Sequence, residues 1–257
     1  MRGPNDKREN MDFKGFVVDL DGVVYRGKEL ISYSDKRIAS LKKGSKVLFL
    51  TNNSTKTRAE YVEKLRGFGV NVDEKEIITS GYAAALYIKE NYKNPKVFVI
   101  GEEALKKELE WQGVQVSWRD CDIVLVGLDR GFNYSKIALA FRFIQNGADF
   151  LATNTDNTLI TESRMLPGAG AIVKAVQTVC EKEPTVIGKP SEIIAKIVLD
   201  ALKLKPEEVL LLGDRLETDI AMGNKAGMKT ALVLTGYSKR EDIEKSKIKP
   251  DYILDKL

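Results

Sequence analysis

The 257-residue sequence contains no histidine. This absence excludes Ser-His-Asp triads, histidine-ligated zinc sites and phosphohistidine chemistry, and it removes the most common general base. Any acid–base step must therefore be carried out by carboxylates, Lys, Tyr, Cys or water bound to a metal ion.

Cysteine is scarce as well, with Cys121 and Cys180 the only two in the sequence. Two cysteines are too few for a disulfide framework. Neither is followed six residues later by the Arg of a phosphatase loop built on a cysteine thiolate. We therefore interpret both as free thiols with no catalytic role.

The sequence also has no apolar run of membrane-spanning length, and its opening, MRGPNDKRENMD, is too polar for a signal peptide. Its 41 basic and 37 acidic residues are interspersed and give a net charge of +4, which argues against a dedicated nucleic-acid surface. These features predict a cytoplasmic protein with neither a membrane nor a nucleic acid as its partner.

Two acids interrupt the apolar stretch FVVDLDGVVYRG, which runs from residue 16 to residue 27. Its β-branched residues are typical of a strand buried in a parallel sheet, and Asp19 and Asp21 would leave such a strand on the same side. One interpretation is a pair of solvated turn acids, with Gly22 as the turn residue. The other is a carboxylate pair at the carboxyl end of a central strand, where open α/β sheets bind ligands.

Strand and helix patterns alternate along most of the chain. They predict an α/β fold whose core is a Rossmann-like, doubly wound parallel sheet. Near residue 80 the pattern restarts for about one hundred residues, which we interpret as an inserted α/β unit. We predict a catalytic core of residues 1–80 and 184–257 and an insert of residues 81–183, in which residues 154–170 form a long polar loop.

Further polar residues follow other predicted strands. Thr51 and Asn52 follow KVLFL, Lys189 lies in GKP, and Asp214 and Asp219 lie in GDRLETD. Each has an ordinary interpretation when taken alone: helix caps for the hydroxyl, amide and acidic groups, and a solvated surface position for the Lys. Because the carboxyl ends of parallel strands are neighbours, one shared crevice explains all of them together.

The chemistry of such a crevice is restricted by its residue types. Several carboxylates with one Lys and no His form an oxygen-only site, which suits a hard cation such as Mg²⁺. The hydroxyl, amide, backbone N–H and Lys groups form a complementary cradle for an anion. A metal ion, an anion cradle and one carboxylate nucleophile together describe phosphoryl transfer through an aspartyl-phosphate.

The motifs DLDGVVY, LTNN, GKP and GDRLETD stand in the order of the four motifs of the haloacid dehalogenase superfamily of phosphatases, which the chain resembles from residue 13 to about residue 254. The insert between the second and third motifs resembles the C2-type cap of that family. Within it, ATNTDN and LPGAGAIV resemble the subgroup of NagD-type and p-nitrophenyl phosphatases. The resemblance implies the haloacid dehalogenase fold and Mg²⁺-dependent hydrolysis of small phosphomonoesters, such as sugar phosphates, phosphoglycolate, nucleotide monophosphates or p-nitrophenyl phosphate.

The same resemblance implies a role for each acid. Asp19 would be the nucleophile, and Asp21 would protonate the leaving group and then activate water. Asp19, the backbone carbonyl of Asp21 and Asp214 would hold Mg²⁺, with Asp219 supporting them.

The resemblance also implies the residues that bind the substrate. Thr51, Asn52, Lys189 and Asp21 would contact the phosphorylated substrate, the first two through the transferring phosphoryl group. Lys189 would take part in catalysis too, because it would offset the repulsion between Asp19 and the phosphate dianion.

A cap that closes over the crevice would contact the leaving group and select the substrate. Asn154, Asp156, Asp129 and Arg164 are candidate selectors, although these residues could instead order their own loop. Relatives with this type of cap often pair through it, so a homodimer through the cap is expected.

Two other functions use a site of the same kind. A phosphoacceptor signalling module would hold a lasting aspartyl-phosphate, and a phosphomutase would return the phosphoryl group to a sugar. Asp21 argues against the first, because a base two residues beyond the nucleophile would hydrolyse the intermediate.

Overall fold

The computed structural model describes residues 13–160 and 165–257. The polar opening segment and Arg164, one of the predicted selectors, lie outside the described residues. No helix in the described ranges is both long enough and apolar enough to cross a bilayer.

The first part of the chain forms one half of a parallel sheet. Helix formation after the second long strand begins at a capping box, in which Thr57 accepts from the backbone of Glu60 and the Glu60 carboxylate accepts from the backbone of Thr57. The elements are, in order, β1 (Gly15–Asp19), β2 (Tyr25–Arg26), β3 (Glu29–Leu30), α1 (Ser34–Leu41), β4 (Lys46–Thr51), α2 (Arg58–Gly67) and β5 (Ile77–Thr79).

The middle of the chain adds a second parallel sheet and its helices. Its elements are α3 (Ser80–Asn91), β6 (Lys96–Ile100), α4 (Glu103–Trp111), β7 (Gln115–Val116), β8 (Ile123–Val126), α5 (Tyr134–Gln145), β9 (Asp149–Ala152), β10 (Thr158–Ile160), β11 (Met165–Pro167), α6 (Ala169–Cys180) and β12 (Thr185–Val186). The segment 154–170, which we predicted as a loop, is partly a hairpin, because β10 and β11 pair antiparallel with Leu159 opposite Leu166. Strands this short leave too weak a pattern to be recognised.

The last part of the chain completes the first sheet. Its elements are α7 (Glu192–Leu202), β13 (Val209–Gly213), a π-helical turn (Leu216–Ile220), α8 (Ala221–Ala226), β14 (Lys229–Val233), α9 (Arg240–Lys245) and β15 (Tyr252–Leu254). Asp219 therefore lies in the π-helical turn that leads into α8, rather than in the first turn of an α-helix.

Both large sheets are parallel throughout. The six-stranded sheet has the order β15-β14-β13-β1-β4-β5, and the five-stranded sheet has the order β12-β9-β8-β6-β7. The chain winds outward in one direction from β1 and in the other from β13, so the topological switch point lies between these two strands. The predicted α/β architecture, a doubly wound core with a second α/β unit, is confirmed.

One predicted strand belongs to a different sheet than expected. We predicted that PTVIG, from residue 184, resumes the first unit, but β12 pairs with β9 at the edge of the second sheet. The ladder continues as Ile187 and Gly188 donate to the carbonyls of Ala152 and Thr153. The chain therefore re-enters the six-stranded sheet only at β13, while the division into domains at residues 80 and 183 stays a prediction.

One buried apolar cluster joins the two sheets. Helices α3 and α7 supply Ile88 and Val198 to a buried cluster that also contains Val17 of β1 and Leu125 of β8. Because the cluster is continuous, separating the sheets would expose apolar surface at a cost of roughly 25 cal/mol per Å².

A buried ion pair also joins the two units. Arg58, at the start of α2, donates from its backbone N–H to Glu108 Oε1 at 2.6 Å and from Nε to Glu108 Oε2 at 3.1 Å. Glu108 lies on α4 and is 1% exposed. An acid of the second unit thus caps a helix of the first.

Candidate active site

The site lies at the carboxyl edge of the six-stranded sheet, beside the switch point. Asp19 is the last residue of β1, Thr51 is the last residue of β4, and Asp214 directly follows β13. All three are buried, which excludes a solvated turn for Asp19. Lys189 reaches the same place from the segment that follows β12.

Three acids form a compact cluster in this crevice. Asp19, Asp214 and Asp219 each place a carboxylate oxygen within 4.8 Å of the others. Burial raises the pKa of Asp19 well above its ordinary value; Lys189 opposes this shift and the other two acids reinforce it. Burial and the Asp219 charge raise the pKa of Asp214 to about 6. The cluster therefore holds more negative charge than its protein surroundings neutralise, as expected for a cation site.

Lys189 stands between two of these acids. Its Nζ lies 2.7 Å from Asp19 Oδ1 and 2.6 Å from Asp219 Oδ1, and its side chain is 4% exposed. Burial by itself would lower the pKa of Lys189, but the two carboxylates outweigh burial and raise that pKa. The ammonium group is therefore charged and fixed beside the predicted nucleophile.

The side chain of Asn52 connects three segments of the chain. Its Nδ2 donates to the Lys189 carbonyl at 3.0 Å and to Asp156 Oδ2 at 3.1 Å, and its Oδ1 accepts from the Lys189 backbone N–H at 2.8 Å. Both amide hydrogens thus have protein partners, so this side chain fixes the backbone of Lys189. The predicted contact between Asn52 and the phosphoryl group stays a prediction.

Thr51 and Asp21 are placed for contact with a ligand. The Thr51 hydroxyl accepts from the Asn53 backbone at 3.1 Å, and Thr51 lines the cavity. Asp21 is half-buried and accepts from the Tyr25 hydroxyl at 3.2 Å. Burial raises the pKa of Asp21, which suits a carboxyl group that first gives and then takes a proton.

A loop that carries no recognised motif fixes Asp214. The backbone N–H of Tyr237 donates to Asp214 Oδ2 at 2.7 Å, and that of Ser238 donates to the Asp214 carbonyl at 2.9 Å. A Cβ atom at Gly236 would overlap the same carboxylate, so this position requires glycine. Sequence reasoning missed this loop because its contribution comes from backbone groups.

A cavity of about 800 Å³ opens above the acids and is lined by both units of the chain. Of the predicted selectors, Asn154 and Asp156 line the cavity, together with Leu128 and Leu159 from the same unit. Asp129 does not line it, because its carboxylate orders its own loop through Lys136 Nζ at 2.6 Å and the Gly131 N–H at 2.9 Å.

Comparison with known proteins gives consistent family matches. Residues 16–115 match the family described as haloacid dehalogenase-like hydrolase, and residues 186–257 match the family described as HAD-hydrolase-like. The chain is also 37% identical over 246 residues to the 5'-nucleotidase YutF of Bacillus subtilis. This match covers 95% of this chain and 96% of the relative.

Solved structures show the same likeness over the whole described fold. A p-nitrophenyl phosphatase from Archaeoglobus fulgidus superposes with a TM-score of 0.91 and 37% identity, covering 95% of this chain and 97% of that one. A glycerol phosphate phosphatase from Mycobacterium tuberculosis, in complex with magnesium, gives a TM-score of 0.88 and 30% identity, covering 94% of this chain and 74% of that one.

Proposed function

The chain belongs to the haloacid dehalogenase-like hydrolases and is therefore an enzyme, and from this premise we propose that it hydrolyses small phosphomonoesters through an aspartyl-phosphate on Asp19. The observation that carries the proposal is the position of Lys189, which holds the buried Asp19 carboxylate at 2.7 Å. The substrates named for the relatives, nucleotides, p-nitrophenyl phosphate and glycerol phosphate, are all small phosphomonoesters.

The acidic cluster fits Mg²⁺ as the cofactor. Mg²⁺ prefers oxygen ligands, and the cluster offers carboxylate oxygens from three acids within 4.8 Å of one another. Asp19, Asp214 and the backbone carbonyl of Asp21 would hold the ion, with Asp219 supporting from behind. The bound ion would supply positive charge that allows a phosphate dianion to approach a carboxylate.

The residues of the chain then divide the reaction into two steps. An Asp19 oxygen attacks phosphorus and forms the aspartyl-phosphate, while Asp21 gives its proton to the departing alcohol oxygen. Asp21, now ionised, takes a proton from water as that water attacks phosphorus, which releases inorganic phosphate and restores Asp19. Lys189 stays charged throughout and offsets the negative charge that gathers around Asp19.

The test is phosphate release from p-nitrophenyl phosphate and a panel of phosphometabolites, with and without Mg²⁺. We expect release to require Mg²⁺ and to fall at least about a thousandfold in Asp19→Asn. Asp200→Asn is the matched control, because Asp200 is exposed and lies on α7. Absence of release by the unaltered protein, or full activity of Asp19→Asn, would contradict the proposal.

The same experiment separates the two alternatives. An aspartyl-phosphate that persists after the substrate is consumed would support a phosphoacceptor signalling module. Isomerisation of a sugar phosphate without release of inorganic phosphate would support a phosphomutase.

A further inference from the structure

Arg215 presents a guanidinium group to the cavity without a strong partner. Its side chain is 16% exposed, and none of its guanidinium nitrogens has a hydrogen-bond acceptor among the described residues. Asp156 Oδ1 is the nearest carboxylate oxygen, 3.9 Å from Nη1, which is beyond hydrogen-bond distance. The guanidinium carbon lies 4.0 Å from the centre of the Tyr237 ring, which fixes the orientation of the plane. A largely buried, oriented group with free donors is suited to a ligand that supplies acceptors.

Two further cations contact the loop that carries Tyr237. Arg26 Nε donates to the Thr235 carbonyl at 2.7 Å, and Lys239 Nζ donates to the Gly236 carbonyl at 2.8 Å. Both side chains line the same cavity. Positive charge thus gathers around one loop, the same loop whose backbone holds Asp214.

The acids that line this part of the cavity compensate the cations only partly. Asp156 is held by the Asn52 amide at 3.1 Å, and Glu29 is exposed to solvent. Outside the acidic cluster and Lys189, the cavity is lined by three acids, Asp21, Glu29 and Asp156, and by four cations, Arg26, Lys28, Arg215 and Lys239. The lining outside the acidic cluster therefore carries net positive charge.

We propose that Arg26, Arg215 and Lys239 form a subsite for a second anionic group, so that the enzyme prefers phosphomonoesters whose alcohol portion carries a carboxylate or another phosphoryl group. The inference rests on the proposed function, because the first phosphoryl group must occupy the Asp19 site. A fixed guanidinium can bind either anion through two parallel hydrogen bonds. The cavity of about 800 Å³ has room for such an alcohol portion.

Three substrates on one two-carbon scaffold test the inference: 2-hydroxyethyl phosphate, phosphoglycolate and ethylene glycol bisphosphate. We expect kcat/KM of the unaltered enzyme to be at least about tenfold higher for one or both anionic substrates than for the neutral one. The anion that gives the higher value identifies the group for which the subsite is built.

Variants then locate the preference. The ratio of kcat/KM for the preferred anionic substrate to that for the neutral one should fall about tenfold in Arg215→Met and about threefold in Lys239→Met. Lys75→Met is the matched control, because Lys75 is 83% exposed and does not line the cavity. Its ratio should equal that of the unaltered enzyme.

The outcomes separate this inference from the proposed function. Equal rates on neutral and anionic substrates, or an unchanged ratio in both variants, would overturn the subsite while phosphate release still upheld the phosphatase. If Arg215→Met fails to fold, the kcat/KM ratio of Lys239→Met alone tests the subsite, because Lys239 is exposed. A protein that releases no phosphate from any substrate, p-nitrophenyl phosphate included, would instead overturn the proposed function.

Discussion

The two parallel sheets are alike in construction and differ in the groups at the carboxyl ends of their strands. In the six-stranded sheet these positions hold Asp19, Thr51 and Asp214. In the five-stranded sheet the residues that directly follow three central strands are Gly101, Gly127 and Thr153. All six positions are buried, but only those of the first sheet include charged side chains. A parallel sheet offers a place for a ligand, and the residues at its strand ends decide whether chemistry can occur there.

The uncharged strand ends instead allow the second unit to pack closely against the first. A Cβ atom at Gly127 would lie 2.9 Å from Ser54 Oγ, and Ser54 belongs to the segment that follows β4. The second unit therefore lies directly against the loop that carries Thr51 and Asn52. The first sheet places Asp19, Thr51 and Asp214 at its edge, and the second unit closes the space above them and supplies Lys189 after β12.

The largest effect should come from removing Lys189, whose positive charge offsets the buried acids at the edge of the six-stranded sheet. Lys189→Met leaves the buried Asp19 and Asp219 carboxylates without their ammonium partner. We expect kcat/KM to fall at least about a thousandfold, or about 4 kcal/mol, together with a loss of stability in chemical denaturation. Lys196→Met, at a 65% exposed position on α7, is the control. Activity within tenfold of the unaltered enzyme would show that catalysis does not depend on Lys189 to offset the negative charge around Asp19.

The next effect should come from the ion pair that joins the two units. Glu108→Gln removes the fully buried carboxylate from Arg58, whose guanidinium keeps only the half-exposed Glu74 at 2.9 Å, and we expect a loss of about 3 kcal/mol in the free energy of unfolding. Glu90→Gln breaks an exposed pair with Lys196, so it should cost less than about 0.5 kcal/mol. Denaturant unfolding of both variants measures the difference, and equal losses would mean that burial of the Arg58 pair is unimportant.

A smaller effect should follow from adding a methyl group at Gly127, where the two units are in close contact. Gly127→Ala places a methyl group 2.9 Å from Ser54 Oγ and 3.0 Å from Leu105, and we expect a loss of about 2 kcal/mol in stability, measured by thermal unfolding. Gly67→Ala is the matched control, because no atom lies within 4 Å of the added carbon. It should leave stability unchanged or raise it slightly, since Ala favours a helix. Similar losses in both variants would argue against close packing at Gly127.

The smallest effect should come from Asp156, the one acid among the described residues of the second unit that lines the cavity. Asp156→Asn replaces a charged acceptor of Asn52 by a neutral one, so the backbone of Lys189 should be held less firmly. We expect kcat to fall about tenfold with a smaller change in KM. In Asp129→Asn, kcat should stay the same, because the Asp129 side chain does not line the cavity and instead pairs with Lys136. A change in KM alone would assign Asp156 to substrate binding instead.

Sequence reasoning succeeded where a single stretch carries the information. Asp19, Thr51 and Asp214 could be predicted because each follows a buried apolar run, and parallel strands bring such positions together. It failed where two distant residues must meet. The connection from Asn52 to Lys189 and the pairing of Arg58 with Glu108 depend on how the units pack, and no local pattern records either. The sheet that β12 joins is likewise set by its hydrogen bonds to β9.

The order of the strands also has a consequence for synthesis. β1 is paired on one side by β4, which is made early, and on the other by β13, which is made only after the whole middle unit. A growing chain must therefore keep one edge of its central strand unpaired while some two-thirds of its residues are added, a period in which exposed edges invite wrong partners. Lys189, Asp214 and Asp219 also come late, so the nascent protein carries Asp19, the proposed nucleophile, long before the residues that surround it are made.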